Sequence, residues 1–84
     1  MNAGYSVKVL LFGAAADRAG TRETQVPAGE TTLDELWPIL AEQYPDLSPM
    51  RDTLAFALNG EYARWDARVS PGDEVAVLPP VSGG

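Results

Sequence analysis

Thr32–Tyr44, TLDELWPILAEQY, is the stretch that decides the fold. Thr32 and Glu35 stand three apart, the spacing of a capping box: a threonine hydroxyl that accepts from a first-turn N–H, and a carboxylate that can reach back. Leu33, Leu36, Trp37, Leu40 and Tyr44 then recur at helical spacing and make one apolar stripe. Asp34 and Glu35 put negative charge in the first turn, where the helix dipole favours it. Pro45 ends the segment. Pro38 conflicts with it, because a helix-interior proline loses a hydrogen bond and costs about 3 kcal/mol. The helix is expected to start at Thr32 all the same, with a kink at Pro38 as one outcome.

Strand patterns lie on both sides of this helix. Before it, Tyr5–Phe12 alternates: Tyr5, Val7, Val9 and Leu11 share one face, and Ser6, Lys8, Leu10 and Phe12 the other. Ala14–Ala19 reads as a short helical turn closed by Gly20. Thr21–Val26, bounded by Pro27 and Gly29, reads as a strand paired with the first. After the helix, Pro45–Thr53 reads as a loop. Leu54–Asn59 is a strand with Leu54, Phe56 and Leu58 inward and Ala55 and Ala57 outward. Asn59-Gly60 predicts a tight hairpin turn, since both residues accept positive φ. Glu61–Trp65 returns as a short strand, Ser70-Pro71-Gly72-Asp73 is a second turn, and Glu74–Leu78 is the last strand.

One helix can cover only one sheet face, so the order predicts an α+β fold of two layers. A right-handed crossover would place the first and last strands side by side and parallel. This is the β-grasp, or ubiquitin-like, arrangement: about five strands in a mixed sheet with one main helix on one face. It is expected as a single domain over residues 1–84, with 79–84 as a flexible tail.

Composition narrows the chemistry. The 84 residues include no cysteine and no histidine. Disulfides, thiolate chemistry, Ser/His or Cys/His catalysis and most metal sites are therefore not expected. Twelve acidic residues against six basic give a net charge of −6, which on average repels nucleic acid and steers in basic protein surfaces; a role in solubility alone accounts for the charge equally well. No apolar run reaches the about 18 residues of a membrane span. The start, Met1-Asn2-Ala3-Gly4, lacks the pattern of a signal peptide. A cytoplasmic protein is the expectation.

The ending carries the functional signal: Pro79-Pro80-Val81-Ser82-Gly83-Gly84. Pro79 and Pro80 fix φ and remove two backbone donors, so the last strand cannot simply continue. Gly83 and Gly84 have no side chain and tolerate most backbone angles. Such a tip can thread a narrow channel and present its carbonyl carbon. Val81 and Ser82 would line that channel. Phe12, Tyr62 and Leu78 fall on the face the helix leaves uncovered, above a floor of Ala55, Ala57 and Ala76, and suggest a docking patch. Asp73 is expected to shape its turn, and Lys8, Arg51, Arg64 and Arg68 to be solvated charges.

Pro71-Gly72-Asp73-Glu74-Val75 and the Pro-Pro-Val-Ser-Gly-Gly ending, with Val7–Phe12, the Thr-capped helix and Ala57-Leu58-Asn59-Gly60, resemble the MoaD/ThiS sulfur-carrier family, most closely its MoaD-type molybdopterin branch. The resemblance implies that a MoeB-type activating enzyme uses ATP to adenylate the Gly84 carboxylate. Sulfur from a cysteine-derived donor system then converts the acyl-adenylate to a thiocarboxylate. A MoaE-type large subunit, in a heterotetramer, receives the tail and passes the sulfur to cyclic pyranopterin monophosphate. The carrier itself is implied to be non-catalytic, with no bound cofactor or metal. Carriers for thiamin or tRNA thiolation share the Gly-Gly tip, although thiamin carriers tend to be shorter and lack the Pro-Pro-Val lead-in. A ubiquitin-like protein modifier uses the same tail chemistry. A ubiquitin-like RNA-binding module is disfavoured by the acidic charge.

Overall fold

The computed structural model describes residues 5–79. Strand β1 (Ser6–Leu11) is followed by helix α1 (Gly13–Ala19), β2 (Glu23–Pro27), β3 (Thr31–Thr32) and helix α2 (Leu33–Gln43). A 3-10 helix (Pro45–Thr53), β4 (Ala55–Leu58), β5 (Glu61–Ala63), β6 (Arg68–Val69) and β7 (Glu74–Leu78) complete the order. The five-stranded sheet runs β2-β1-β7-β4-β5, and β1 and β7 are parallel neighbours at its centre. The other pairings in that sheet are antiparallel. This is the β-grasp topology the strand–helix–strand order predicts.

The core lies between α2 and one sheet face. Val7, Val9 and Leu11 of β1, Val26 of β2, Phe56 of β4, and Val75 and Val77 of β7 point into it. Leu33, Leu36, Trp37 and Leu40 of α2 meet them, so four members of the helical stripe are buried as expected. Tyr44, the fifth, is half-buried and donates its hydroxyl to Thr24 Oγ1 at 2.9 Å. Trp37, Phe56 and Trp65 form an edge-to-face aromatic cluster with centroids 4.7–6.0 Å apart. Arg51 stacks over Trp65 at 4.0 Å while pairing with Asp34 at 2.8 Å. Trp65 is thus a rim residue of the core, and Arg51 covers it rather than standing free.

The Thr32 cap is made: its Oγ1 accepts from the Glu35 N–H at 3.2 Å. The Glu35 carboxylate accepts from the Thr31 hydroxyl. Two further first-turn donors are satisfied by the 65–67 loop, through Leu33 N–H to the Ala67 carbonyl and Asp34 N–H to the Trp65 carbonyl. Thr32→Ala is expected to lower stability by about 1 kcal/mol; an unchanged urea midpoint would contradict the role of this cap. Pro38 lies inside α2, which begins early as the cap predicts. It is exposed, and so is Asp34, whose carbonyl loses its helical donor and can be hydrated instead.

The structure differs from the sequence reading in three places. Pro45–Thr53 is not a loop but a 3-10 helix, with Leu47 and Met50, three residues apart, both buried. That spacing matches the 3-10 period and has no 3.6-residue stripe to reveal it. The strands β3 and β6 also pair, Thr31 with Val69 and Thr32 with Arg68, in a two-residue ladder too short to show alternation. The returning strand after the hairpin ends at Ala63 rather than Trp65.

Candidate functional site

The site begins with which face of the sheet is left bare. Period-two alternation sends Val7, Val9, Leu11, Val75 and Val77 to α2, so Leu10, Phe12, Ala76 and Leu78 must point the other way. The registers line these up in rows. Leu10 lies opposite Ala76, Ala76 opposite Ala57, and Ala57 opposite Tyr62. The next row brings Leu78 opposite Ala55, with Phe12 at the end of β1 beside them.

Tyr62 is 73% exposed and Phe12 45%, both high for large apolar rings. Leu78 is half-buried, and Ala57, in register between Ala76 and Tyr62, is buried although no helix covers it. The three bulky residues and three alanines expected to share the uncovered face therefore do share it. Leu10 belongs with them, and the alternation of β1 already marks it.

The other end of the same face is charged. Lys8 lies opposite Gln25 and Glu74, and its Nζ is 3.9 Å from Glu23 and 3.8 Å from Glu74. All three charged groups are about half exposed, so these pairs add little stability. They divide the face into a polar half and an apolar half. The apolar half lies at the C-terminal end of β7.

Turns hold β7 in place. Asn59 and Gly60 adopt positive φ (51° and 90°), as the hairpin dipeptide requires. Asn59 also clasps β7, accepting from the Glu74 N–H at 3.0 Å and donating its own N–H to the Glu74 carbonyl at 2.8 Å. Asp73 closes the Ser70–Asp73 turn by accepting from the Ser70 N–H at 2.8 Å, with Gly72 at φ 91°. The turn-shaping role expected of Asp73 is met. Arg64 and Arg68 are exposed.

At its far end β7 stops beside the apolar patch. Phe12 N–H donates to the Val77 carbonyl at 3.1 Å, and Pro79 follows, exposed. Next to it, Leu10, Phe12, Gly13, Ala16, Arg22 and Glu23 line an open groove of about 400 Å³. Pro80, Val81, Ser82, Gly83 and Gly84, the remaining residues of the expected site, lie outside the described residues. Among the described residues, no group of three or more acidic side chains could hold a metal ion, and no helix is long and apolar enough to cross a membrane.

Known proteins resemble this chain in sequence and in fold. The model of the ThiS family matches residues 9–84. The molybdopterin synthase sulfur carrier subunit of Caenorhabditis briggsae is 44% identical, over 94% of this chain and 98% of its own length. Small archaeal modifier protein 1 of Haloferax volcanii superposes with a TM-score of 0.83 at 32% identity, covering 94% of this chain and 99% of that one. A chain from the complex of subunits 1 and 2 of molybdopterin-converting factor of Helicobacter pylori gives 0.68 at 30% identity, with 94% and 99% coverage. With its β-grasp sheet, its uncovered apolar face and this family match over all but the first residues, the chain belongs to the ThiS/MoaD family.

Proposed function

We propose that this chain is the sulfur carrier of a cytoplasmic molybdopterin synthase. The observation that carries the reading is the position of β7: this central strand ends at Leu78, at the apolar end of the uncovered sheet face, and the C-terminal residues follow from there. A partner seated on Phe12, Tyr62 and Leu78 would therefore meet the tail as well. The sulfur-carrier name of the Caenorhabditis briggsae relative and the subunit 1–subunit 2 complex of the Helicobacter pylori neighbour support a large-subunit partner.

In this reading the Gly84 carboxylate attacks the α-phosphorus of ATP on an activating enzyme, and pyrophosphate leaves. The acyl-adenylate then has a good leaving group, which a free carboxylate lacks. Sulfide from the donor system adds to the carbonyl carbon, AMP departs with the bonding electron pair, and loss of the thiol proton leaves a thiocarboxylate. In the large subunit the thiocarboxylate sulfur bonds to a pyranopterin carbon in place of an oxygen substituent, water cleaves the acyl–sulfur bond and Gly84 returns to a carboxylate; two charged carriers supply one dithiolene. The acid–base groups come from the partners, which fits a chain without histidine or cysteine. ATP is consumed by the activating enzyme, and the carrier itself holds no cofactor. Val81 and Ser82 line the partner's channel through their backbones, and Pro79 and Pro80 set the approach.

Reconstitution tests the pathway. Carrier, ATP, activating enzyme and sulfur donor are combined, then large subunit and cyclic pyranopterin monophosphate are added. Formation of the dithiolene supports the reading; a loaded carrier that yields none with a competent large subunit contradicts it. The docking patch has its own test. Phe12→Asp combined with Tyr62→Asp puts two carboxylates where an apolar partner must seat, and affinity for the large subunit is expected to fall about a hundredfold. Unchanged binding by calorimetry would remove the patch from the interface.

A second reading has one observation in its favour, the likeness to small archaeal modifier protein 1. A modifier would pass the same acyl-adenylate to a lysine amine, forming an isopeptide bond. Carrier-sized mass additions on other proteins, with no thiocarboxylate formed, would favour it.

A further inference from the structure

We propose that Asn59-Gly60, the turn of the β4–β5 hairpin, is a site of spontaneous covalent modification, at which loss of ammonia converts Asn59 to isoaspartate and releases the hairpin from β7. The site stands on the structure of the turn; only its consequence for docking rests on the carrier reading. Both residues are exposed and both have positive φ. Nothing lies within 4 Å of the position a side chain on Gly60 would take, so the turn is open to water. Glycine also leaves its own amide nitrogen unscreened, because it has no Cβ. Among the described residues that amide donates to no backbone acceptor.

The carbonyl beside it is held and polarised. The Glu74 N–H donates to Asn59 Oδ1 at 3.0 Å. A backbone N–H can only donate, so the side-chain oxygen is the atom that faces it. A fixed donor on a carbonyl oxygen stabilises the negative charge that grows there when a nucleophile adds to the carbon. Asn59 N–H donates in turn to the Glu74 carbonyl at 2.8 Å, so the residue is tied to β7 at two atoms.

The reaction needs only water. The Gly60 amide gives its proton to solvent base, and its nitrogen adds to Asn59 Cγ. The bond from Cγ to the side-chain nitrogen breaks, ammonia leaves with the electron pair and a proton from solvent, and a cyclic succinimide remains. Water then opens one of the two ring carbonyls. One opening gives aspartate. The other gives isoaspartate, in which the main chain runs through the former side-chain carbon.

Isoaspartate lengthens the turn by one backbone carbon, and hairpin register depends on turn length. It also moves the carbonyl that accepts from Glu74 into the main chain, which undoes the clasp on β7. In the register this turn sets, Leu58 lies opposite Glu61 and Ala57 opposite Tyr62. Tyr62 is therefore the member of the docking patch that shifts, while Phe12 and Leu78 lie on other strands. Aspartate keeps an oxygen for the Glu74 N–H and the same backbone path, so it is the milder product. In the carrier reading the chain is reused after each transfer, so a slow change at this turn accumulates.

The test compares fresh carrier with folded carrier aged in mildly alkaline buffer, beside an unstructured peptide of residues 57–62. Intact mass reads the replacement of NH2 by OH, and electron-transfer fragmentation places it and separates isoaspartate from aspartate. Isoaspartate at residue 59 is expected. A chain left unchanged when the peptide is fully converted, aspartate as the sole product, or a change only at Asn2, the other asparagine, overturns the proposal. The isoaspartate form is then expected to bind the large subunit on the order of tenfold more weakly than fresh carrier by calorimetry. Asn59→Gly keeps the positive φ without a side-chain amide, and its affinity is expected not to fall on ageing. Equal affinity of the isoaspartate and fresh forms, or an equal loss in Asn59→Gly, also overturns it. Fresh native carrier that does not bind a competent large subunit refutes the carrier reading instead, and fragmentation still decides whether the site is modified.

Discussion

Adding one residue after Gly84 is expected to abolish sulfur loading while leaving the melting temperature where it is. The extension turns the Gly84 carboxylate into an amide, which has no carboxylate oxyanion to attack ATP, and any added residue other than glycine also places a side chain on a tip whose two glycines are the slimmest residues available. Stability should not respond, because the buried core runs from Val7 to Val77 and closes before Pro79. Paired loading and melting assays on the extended and native chains make the comparison. Retained sulfur transfer by the extended chain would contradict the assignment of the reactive carbon to Gly84.

The largest stability effect is expected from Trp37→Ala. Trp37 is the centre of the α2 stripe, only 6% exposed, with its ring set edge-on to Phe56 at 5.9 Å and to Trp65 at 6.0 Å. Truncating such a ring removes transfer free energy and leaves a cavity, costing about 3–5 kcal/mol. A small domain has about 5–15 kcal/mol in total and at this length lies toward the low end. Trp37→Ala is therefore expected to be largely unfolded near 37 °C and to show a much lower urea midpoint. A loss under about 1 kcal/mol would mean that α2 is not held to the sheet by this residue. In the proposed reading, sulfur loading and stability therefore separate in sequence: one would depend on the last residue, the other on the helix.

The fold was legible because its main signals are strong and independent. The Thr32 cap, the 33–36–37–40 stripe, the Asn59-Gly60 hairpin and the alternation of β1 and β7 all appear in the structure as the sequence predicts. Pro38 did not break α2, because its lost hydrogen bond falls on the exposed side. The 3-10 helix is not legible in the sequence, because Pro45 and Pro49 read as breakers and the Leu47–Met50 spacing fits no α-helical stripe. The β3–β6 ladder leaves no mark in the sequence, because two residues carry no period. On the candidate site, Phe12, Tyr62 and Leu78 could be assigned to one face from strand parity alone. Leu10 has the same parity in β1.

The most direct test of the central claim is the intact mass of the carrier after incubation with ATP, a MoeB-type activating enzyme and a sulfur donor. If Gly84 is the loading point, the mass rises by the difference between one sulfur and one oxygen atom, and fragmentation places that change on the final residue. A mass that stays unchanged beside a control carrier loaded by the same enzyme, or a sulfur found elsewhere in the chain, would contradict it.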